Sequence, residues 1–157
     1  MALVPCEFPF EEIKGPCLAI WANESGWGNS ILAEDHNNFG GMKWHSSMES
    51  FVDEEGNARV KKVDYRAWDG AGEYCGFASW IDFVDGFFHR LDNHPAYNGW
   101  RDAAARGGQS FMEFVSPIWF GKNERENYAY LKKIRLLWEA RFLAYLQAGP
   151  VFYKKER

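Results

Sequence analysis

Two stretches of helical periodicity enclose a segment that has none, and this restricts the chain to a mainly helical α+β fold. On the C-terminal side, Trp80, Phe83, Val84, Phe87, Phe88 and Leu91 recur at the spacing of one helix face. Ser79 and Asp82 stand as a capping box in front of that stripe, and Ser110 with Glu113 repeats the pattern before Phe114 and Val115. A last helix carries Tyr128, Leu131, Ile134, Trp138, Phe142 and Tyr145 on one face and stops before Gly149-Pro150. Upstream, Gly15-Pro16 opens a first helix whose apolar surface is Cys17, Leu18, Ile20 and Trp21. It runs through Asn23, Glu24 and Ser25 and is ended by Gly26. Asn29-Ser30 supplies the cap for a short second helix through Ile31, Leu32 and Ala33.

Between Asn37 and Arg66 the helical period disappears. Met48–Val52 and Arg59–Arg66 predict two short strands around an Asp53-Glu54-Glu55-Gly56-Asn57 loop, a small β-lobe. A helical lobe beside a β-flap makes a groove that takes an extended polymer. The 157 residues fit a single domain, residues 1–157, with its core between Ile13 and Gln147.

Composition narrows the function. The net charge of −4 and the lack of a Lys/Arg cluster outside the last four residues argue against a nucleic-acid footprint. Aromatics make up 18%, eight of them Trp, which leaves rings to line a groove where sugars stack. His36, His45, His89 and His94, with Cys6, Cys17 and Cys75, follow no zinc spacing, so neither a metal nor another cofactor is expected. Cys17 falls on an apolar helix face; a disulfide from Cys6 to Cys17 or Cys75 is compatible with the count. No apolar run approaches the ~20 residues that span a membrane, and the N-terminus does not read as a signal peptide.

Glu24 is the residue around which chemistry can be built. Cleaving a glycosidic bond needs a carboxylic acid that still holds its proton near neutral pH, well above the ~4.3 of a free Glu. Glu24 ends an apolar helix, lies three residues from both Trp21 and Trp27, and meets the negative end of the helix dipole.

The string Glu24-Ser25-Gly26-Trp27-Gly28 resembles the E-S-G-W-G signature of the glucosaminidases of glycoside hydrolase family 73, peptidoglycan hydrolases similar to flagellar rod-cap muramidases and bacterial autolysins. Asn38-Phe39-Gly40-Gly41-Met42-Lys43 resembles the family's N-x-F-G-x-K segment, Asp64-Tyr65-Arg66-Ala67-Trp68 its F-R-x-Y segment and His94-Pro95-Ala96-Tyr97 its N-P-x-Y turn. Asn127-Tyr128-Ala129 resembles the start of its last helix. The resemblance implies a lysozyme-like fold, with Glu24 as general acid of an endo-β-N-acetylglucosaminidase acting on peptidoglycan strands. It places a second carboxylate on the β-flap, for which Glu49 is the first choice and Asp53, Glu54 and Asp64 are alternatives. Trp27, Asn38, Phe39, Trp44 and Trp119 are the expected sugar contacts. Where the family has a Y-A-T-D-type segment this chain reads Ser116-Pro117-Ile118-Trp119, so Tyr97 or Tyr128 would supply the missing hydroxyl.

A muramidase or lytic transglycosylase would use the same fold and acid, and an inactive glycan-binding domain is the reading from another class. With no leader or anchoring repeat in view, the expected setting is delivery to the cell wall by a secretion apparatus or in phage lysis. A toxin injected into a rival's periplasm would imply a cognate immunity protein.

Overall fold

The computed structural model describes residues 8–67 and 70–142. The fold is α+β and mainly helical: six α-helices, several 3-10 turns and one antiparallel strand pair are found among the described residues. None of these helices is long and apolar enough to cross a membrane. The chain divides into two compact units, Met1–Pro9 with Trp21–Trp100, and Phe10–Ile20 with Arg101–Arg157. Helix α1 (Lys14–Glu24) gives its residues up to Ile20 to the second unit and its last turn to the first.

In the first unit, α2 (Ile31–His36) starts where Ser30 accepts a hydrogen bond from the Ala33 amide. Helix α3 (Trp80–Asn93) starts the same way at Ser79, which accepts from the Asp82 amide. Both caps replace a partner that the first turn of a helix lacks. The stripe Phe83, Val84, Phe87, Phe88 and Leu91 is buried. Each such side chain contributes about 1.5–3 kcal/mol by leaving water. Trp21 is the hub of this core. Its ring meets Trp80, Phe83 and Phe87 edge-on at 5.4, 5.1 and 5.1 Å between centroids.

The sheet departs from the sequence reading. Strand β1 (Val60–Ala67) pairs with β2 (Gly70–Phe77), and not with Met48–Val52. Met48 lies in a 3-10 turn, Ser46–Met48, and the Asp53–Asn57 loop is closed by a lone Val52–Ala58 bridge. The stretch Gly70–Phe77 holds three glycines and reads locally as loop. It becomes a strand because β1 takes one edge and Met42–Trp44 takes part of the other, through Cys75 N–H to Met42 O and Trp44 N–H to Glu73 O, both 2.9 Å. Gly86 lets α3 approach this sheet: a Cβ there would stand 2.5 Å from Cε1 of Phe77. Arg59, just before β1, bridges to Asp82 and Asp85 of α3, each at 2.7 Å.

The second unit is built on α5 (Gly108–Phe120) and α6 (Glu124–Leu137), followed by a π-helical turn at Trp138–Phe142; α4 (Trp100–Ala105) precedes them. Ser110 does not cap α5. The helix begins two residues earlier, after Gly107 at φ +111°, and Ser110 Oγ instead takes the Arg106 Nε–H. Gly108 is fixed by the backbone of Glu12, whose carbonyl oxygen would lie 2.4 Å from any Cβ. On α6 the buried positions are Tyr130 and Ile134. Tyr130 stacks on Phe120 at 4.4 Å, while Tyr128 is 72% exposed. The buried face is therefore rotated from the one expected, and Ile134 is common to both. Cys17 and Cys75 are buried free thiols; burial pushes Cys75 up to about 11. Cys6 and Tyr145 lie outside the described residues.

Candidate active site

Glu24 is the last helical residue of α1, and the five residues after it form a tight turn. The Trp27 amide donates to Ala22 O at 2.8 Å, the 6→1 bond of a Schellman motif, and Gly26 at φ +57° takes the left-handed position that motif requires. Trp27 at φ +62° and Gly28 at φ +83° continue in the same hand. Ser25 is buried inside this turn. Its hydroxyl donates to Trp21 O at 2.7 Å and accepts from the Gly28 amide at 2.8 Å. A bulky non-glycine residue in the left-handed region costs about 1–3 kcal/mol and tends to be kept where function uses it. The result is an indole held 59% exposed, three residues beyond Glu24.

The Glu24 carboxylate is half-buried. Oε1 accepts from Asn23 Nδ2 at 3.4 Å, and Oε2 faces Gly41, whose Cβ position would be 3.7 Å away. The turn and the Asn38–Lys43 segment, two separate motifs in sequence, therefore meet at this carboxylate. Phe39 joins them to α3. Its ring lies against the Gly28 Cβ position at 3.7 Å and meets Trp80 edge-on at 4.6 Å.

Several expected sugar contacts are placed otherwise. Asn38 is 0% exposed. Its amide is spent inside the protein: Nδ2 donates to Met42 O at 3.0 Å and Cys75 O at 2.8 Å, and Oδ1 accepts the Met42 amide at 2.8 Å. Tyr97 is buried too, and burial pushes its phenol up to about 12 despite the charge of Arg90. Neither presents a side chain to a solvent-borne sugar. Phe39 is half-buried and packed. Trp44 is half-buried, with Lys62 Nζ 5.1 Å from its ring centroid. In the second unit, Trp119 is half-buried on α5 and Tyr128 stands exposed on α6.

Among the carboxylates, Glu49 is exposed but does not lie on a strand; it follows the 46–48 turn in helical conformation. Asp53 accepts from the Asn57 side chain and from the Asn57 and Glu55 amides, which hold it below the usual carboxylate range. It is thereby committed to its turn. Glu54 is exposed in that turn, and Asp64 is exposed on β1. Directly opposite Asp64 on β2 is Glu73, a carboxylate that the sequence did not single out. Gly41, Ser25, Trp80 and Arg90 were also missed. Ser25 and Gly41 lie within the two motifs, but their contacts are tertiary.

The sequence matches the glucosaminidase profile, described as mannosyl-glycoprotein endo-beta-N-acetylglucosaminidase, over residues 15–141. The chain belongs to the glucosaminidase family. Its members are glycoside hydrolases, and Glu24, Trp27 and the Asn38–Lys43 segment all fall inside the matched span. No curated protein matches this family member in sequence. Among solved structures it is similar to the catalytic domain of the autolysin Auto from Listeria monocytogenes. The TM-score is 0.54 at 16% identity, covering 85% of this chain and 75% of the autolysin chain. That likeness establishes the shared lysozyme-like α+β fold.

Proposed function

We propose that this glucosaminidase hydrolyses the β-1,4 bond after N-acetylglucosamine in peptidoglycan strands, with Glu24 as the general acid. The observation that carries the reading is the placement of Glu24: a half-buried carboxylate at a locked helix end, with one oxygen against a bare glycine, inside the span that matches the family. Protonated Glu24 gives its proton to the bridging oxygen as the C1–O bond breaks, and the bonding electrons go to that oxygen. Water then adds at C1 and its proton leaves to a base. Glu49, Glu54 and Asp64 are exposed carboxylates for that second role, and Glu73 joins them. In the alternative course the substrate's own N-acetyl oxygen bonds to C1 as the C1–O bond breaks, so that no nucleophile from the protein is needed, and water then opens the oxazoline. The exposed Trp27 indole offers a flat apolar face for a sugar ring close to the acid in sequence.

The test is digestion of purified peptidoglycan by wild type and Glu24→Gln, with the fragments read by mass spectrometry. Loss of an essential acid costs about 10²–10⁴ in rate. Fragments ending in reducing N-acetylglucosamine, absent with the variant, support the reading. Fragments ending in muramic acid would move the assignment to a muramidase. Binding without cleavage would leave a glycan-binding module.

A further inference from the structure

We propose that the Asn38–Trp44 segment is the device that fixes the Glu24 carboxylate, with Gly41 as its contact and Asn38 and Arg90 as positioning residues. This rests on Glu24 being the acid, and it adds what holds and hydrates that acid.

The segment is anchored on both sides of Gly41. On one side Asn38, fully buried, ties its own loop to Met42 and ties that loop to Cys75 of β2. On the other side Lys43 and Tyr74 form the non-hydrogen-bonded pair of a short antiparallel ladder, so the Lys43 carbonyl turns away from β2. Arg90 of α3 reaches that carbonyl through Nη2 at 2.5 Å, and the Cys75 thiol lies 3.7 Å from it. Arg90 is buried, and its Nε has no hydrogen-bond partner. Among the described residues its hydrogen-bond contacts are this carbonyl and, at 4.0 Å, the Cys75 sulfur. A guanidinium kept in such a costly place for one backbone carbonyl is there to hold that backbone.

Between the two anchors, Gly41 stands at φ +60°, and the site of its absent Cβ is 3.7 Å from Glu24 Oε2. The Gly41 backbone therefore lies beside that oxygen. The missing methyl leaves a small volume beside Oε2, open to the oxygen that is to be protonated. An alanine would fill it at ordinary van der Waals distance, with some backbone strain at φ +60°, and so change the hydration and reach of Oε2.

The experiment compares Gly41→Ala with Gly56→Ala. Gly56 is also left-handed, at φ +86°, but a Cβ there meets nothing within 4 Å, so it controls for backbone strain. With thermal unfolding confirming both folds, kcat on peptidoglycan should fall about 10–100-fold for Gly41→Ala, with KM little changed, and stay at wild type for Gly56→Ala. In parallel, ¹³C NMR of the Glu24 side-chain carboxyl should show the titration midpoint of Gly41→Ala displaced upward by about half a pH unit or more from wild type. Equal kcat and equal midpoints in the two variants would overturn the proposal. If wild type cuts no wall, the glucosaminidase reading of the site fails on its own, and the NMR comparison still decides whether Gly41 controls the carboxylate.

Discussion

Replacing Asn38 separates a positioning role from sugar binding. In Asn38→Ala the Met42 amide loses its acceptor and Cys75 O loses its donor, both in the interior, whereas Met42 O keeps the Cys75 amide. Two orphaned buried backbone groups cost about 1–3 kcal/mol each, and water entering the vacated space softens this. The expected loss is about 3 kcal/mol. For a chain of this size that is about 6–12 °C in Tm. Asn38→Asp is isosteric and gives a sharper test. It keeps the acceptor for the Met42 amide but sets a carboxylate oxygen against the carbonyls of Met42 and Cys75, with no donor between them. Burial and the missing donor raise the folded-state pKa of this Asp above the ~3.9 of the unfolded chain. Its penalty is therefore full above the folded pKa and eases as pH falls through it, when the carboxyl regains one proton to donate. Urea unfolding should rank wild type above Ala above Asp at pH 7, with the gap between Ala and Asp narrowing at pH 5. A variant Asn38→Ala that unfolds at the wild-type midpoint yet loses glycan binding would refute this reasoning and restore Asn38 as a ligand.

Two further outcomes follow from the same packing. Gly86→Ala should destabilise the protein by about 1–2 kcal/mol: the helix-propensity gain of about 1 kcal/mol is outweighed by forcing a methyl onto the buried rings of Phe77 and Phe51. An unfolding midpoint above wild type would show that those rings give way freely. His94 accepts the Ala96 amide through Nδ1, and its ring lies 4.0 Å from that of His45, tilted by 42°. Desolvation first, then the charges of His45 and Arg90, lowers its pKa in the folded state. The unfolded chain then binds the proton first, so this contribution is complete above about pH 6.5 and is lost as pH falls below it. His94→Asn keeps a capping acceptor without titrating. Its denaturation midpoint should fall less than wild type between pH 7 and pH 5, and parallel curves would count against the assignment.

Much of the helical framework could be read from the chain because its signals are local. Ser30 and Ser79 cap helices through bonds three residues long, and the buried stripe of α3 follows one helical period. The turn that holds Glu24 was legible for the same reason: Glu24 and its turn lie within six consecutive residues. Information held at a distance was lost. Gly70–Phe77 has the composition of a loop and is made a strand by two neighbours, one of them some thirty positions upstream. Asn38 has the side chain of a sugar ligand, and nothing near it in sequence announces that two carbonyls and an amide consume it. The choice of Tyr128 over Tyr130 as the inward residue failed because α6 is polar on most sides, leaving its period loosely defined. The second carboxylate is obscured similarly. Acidic residues are plentiful between 49 and 73, and spacing alone does not say which of them share a face.

The turn after α1 reverses the hand of the chain for three residues, with Ser25 between the last right-handed helical residue and the first left-handed one. Glu24 is therefore tied to a boundary and not to a count along the helix. Inserting or deleting a residue upstream would rotate the rest of α1 while leaving the Glu24 carboxylate at its edge. A single insertion between Glu24 and Gly26 would separate this carboxylate from the inversion that aims it. The tolerance of this enzyme to length change should thus be sharply asymmetric about one peptide bond.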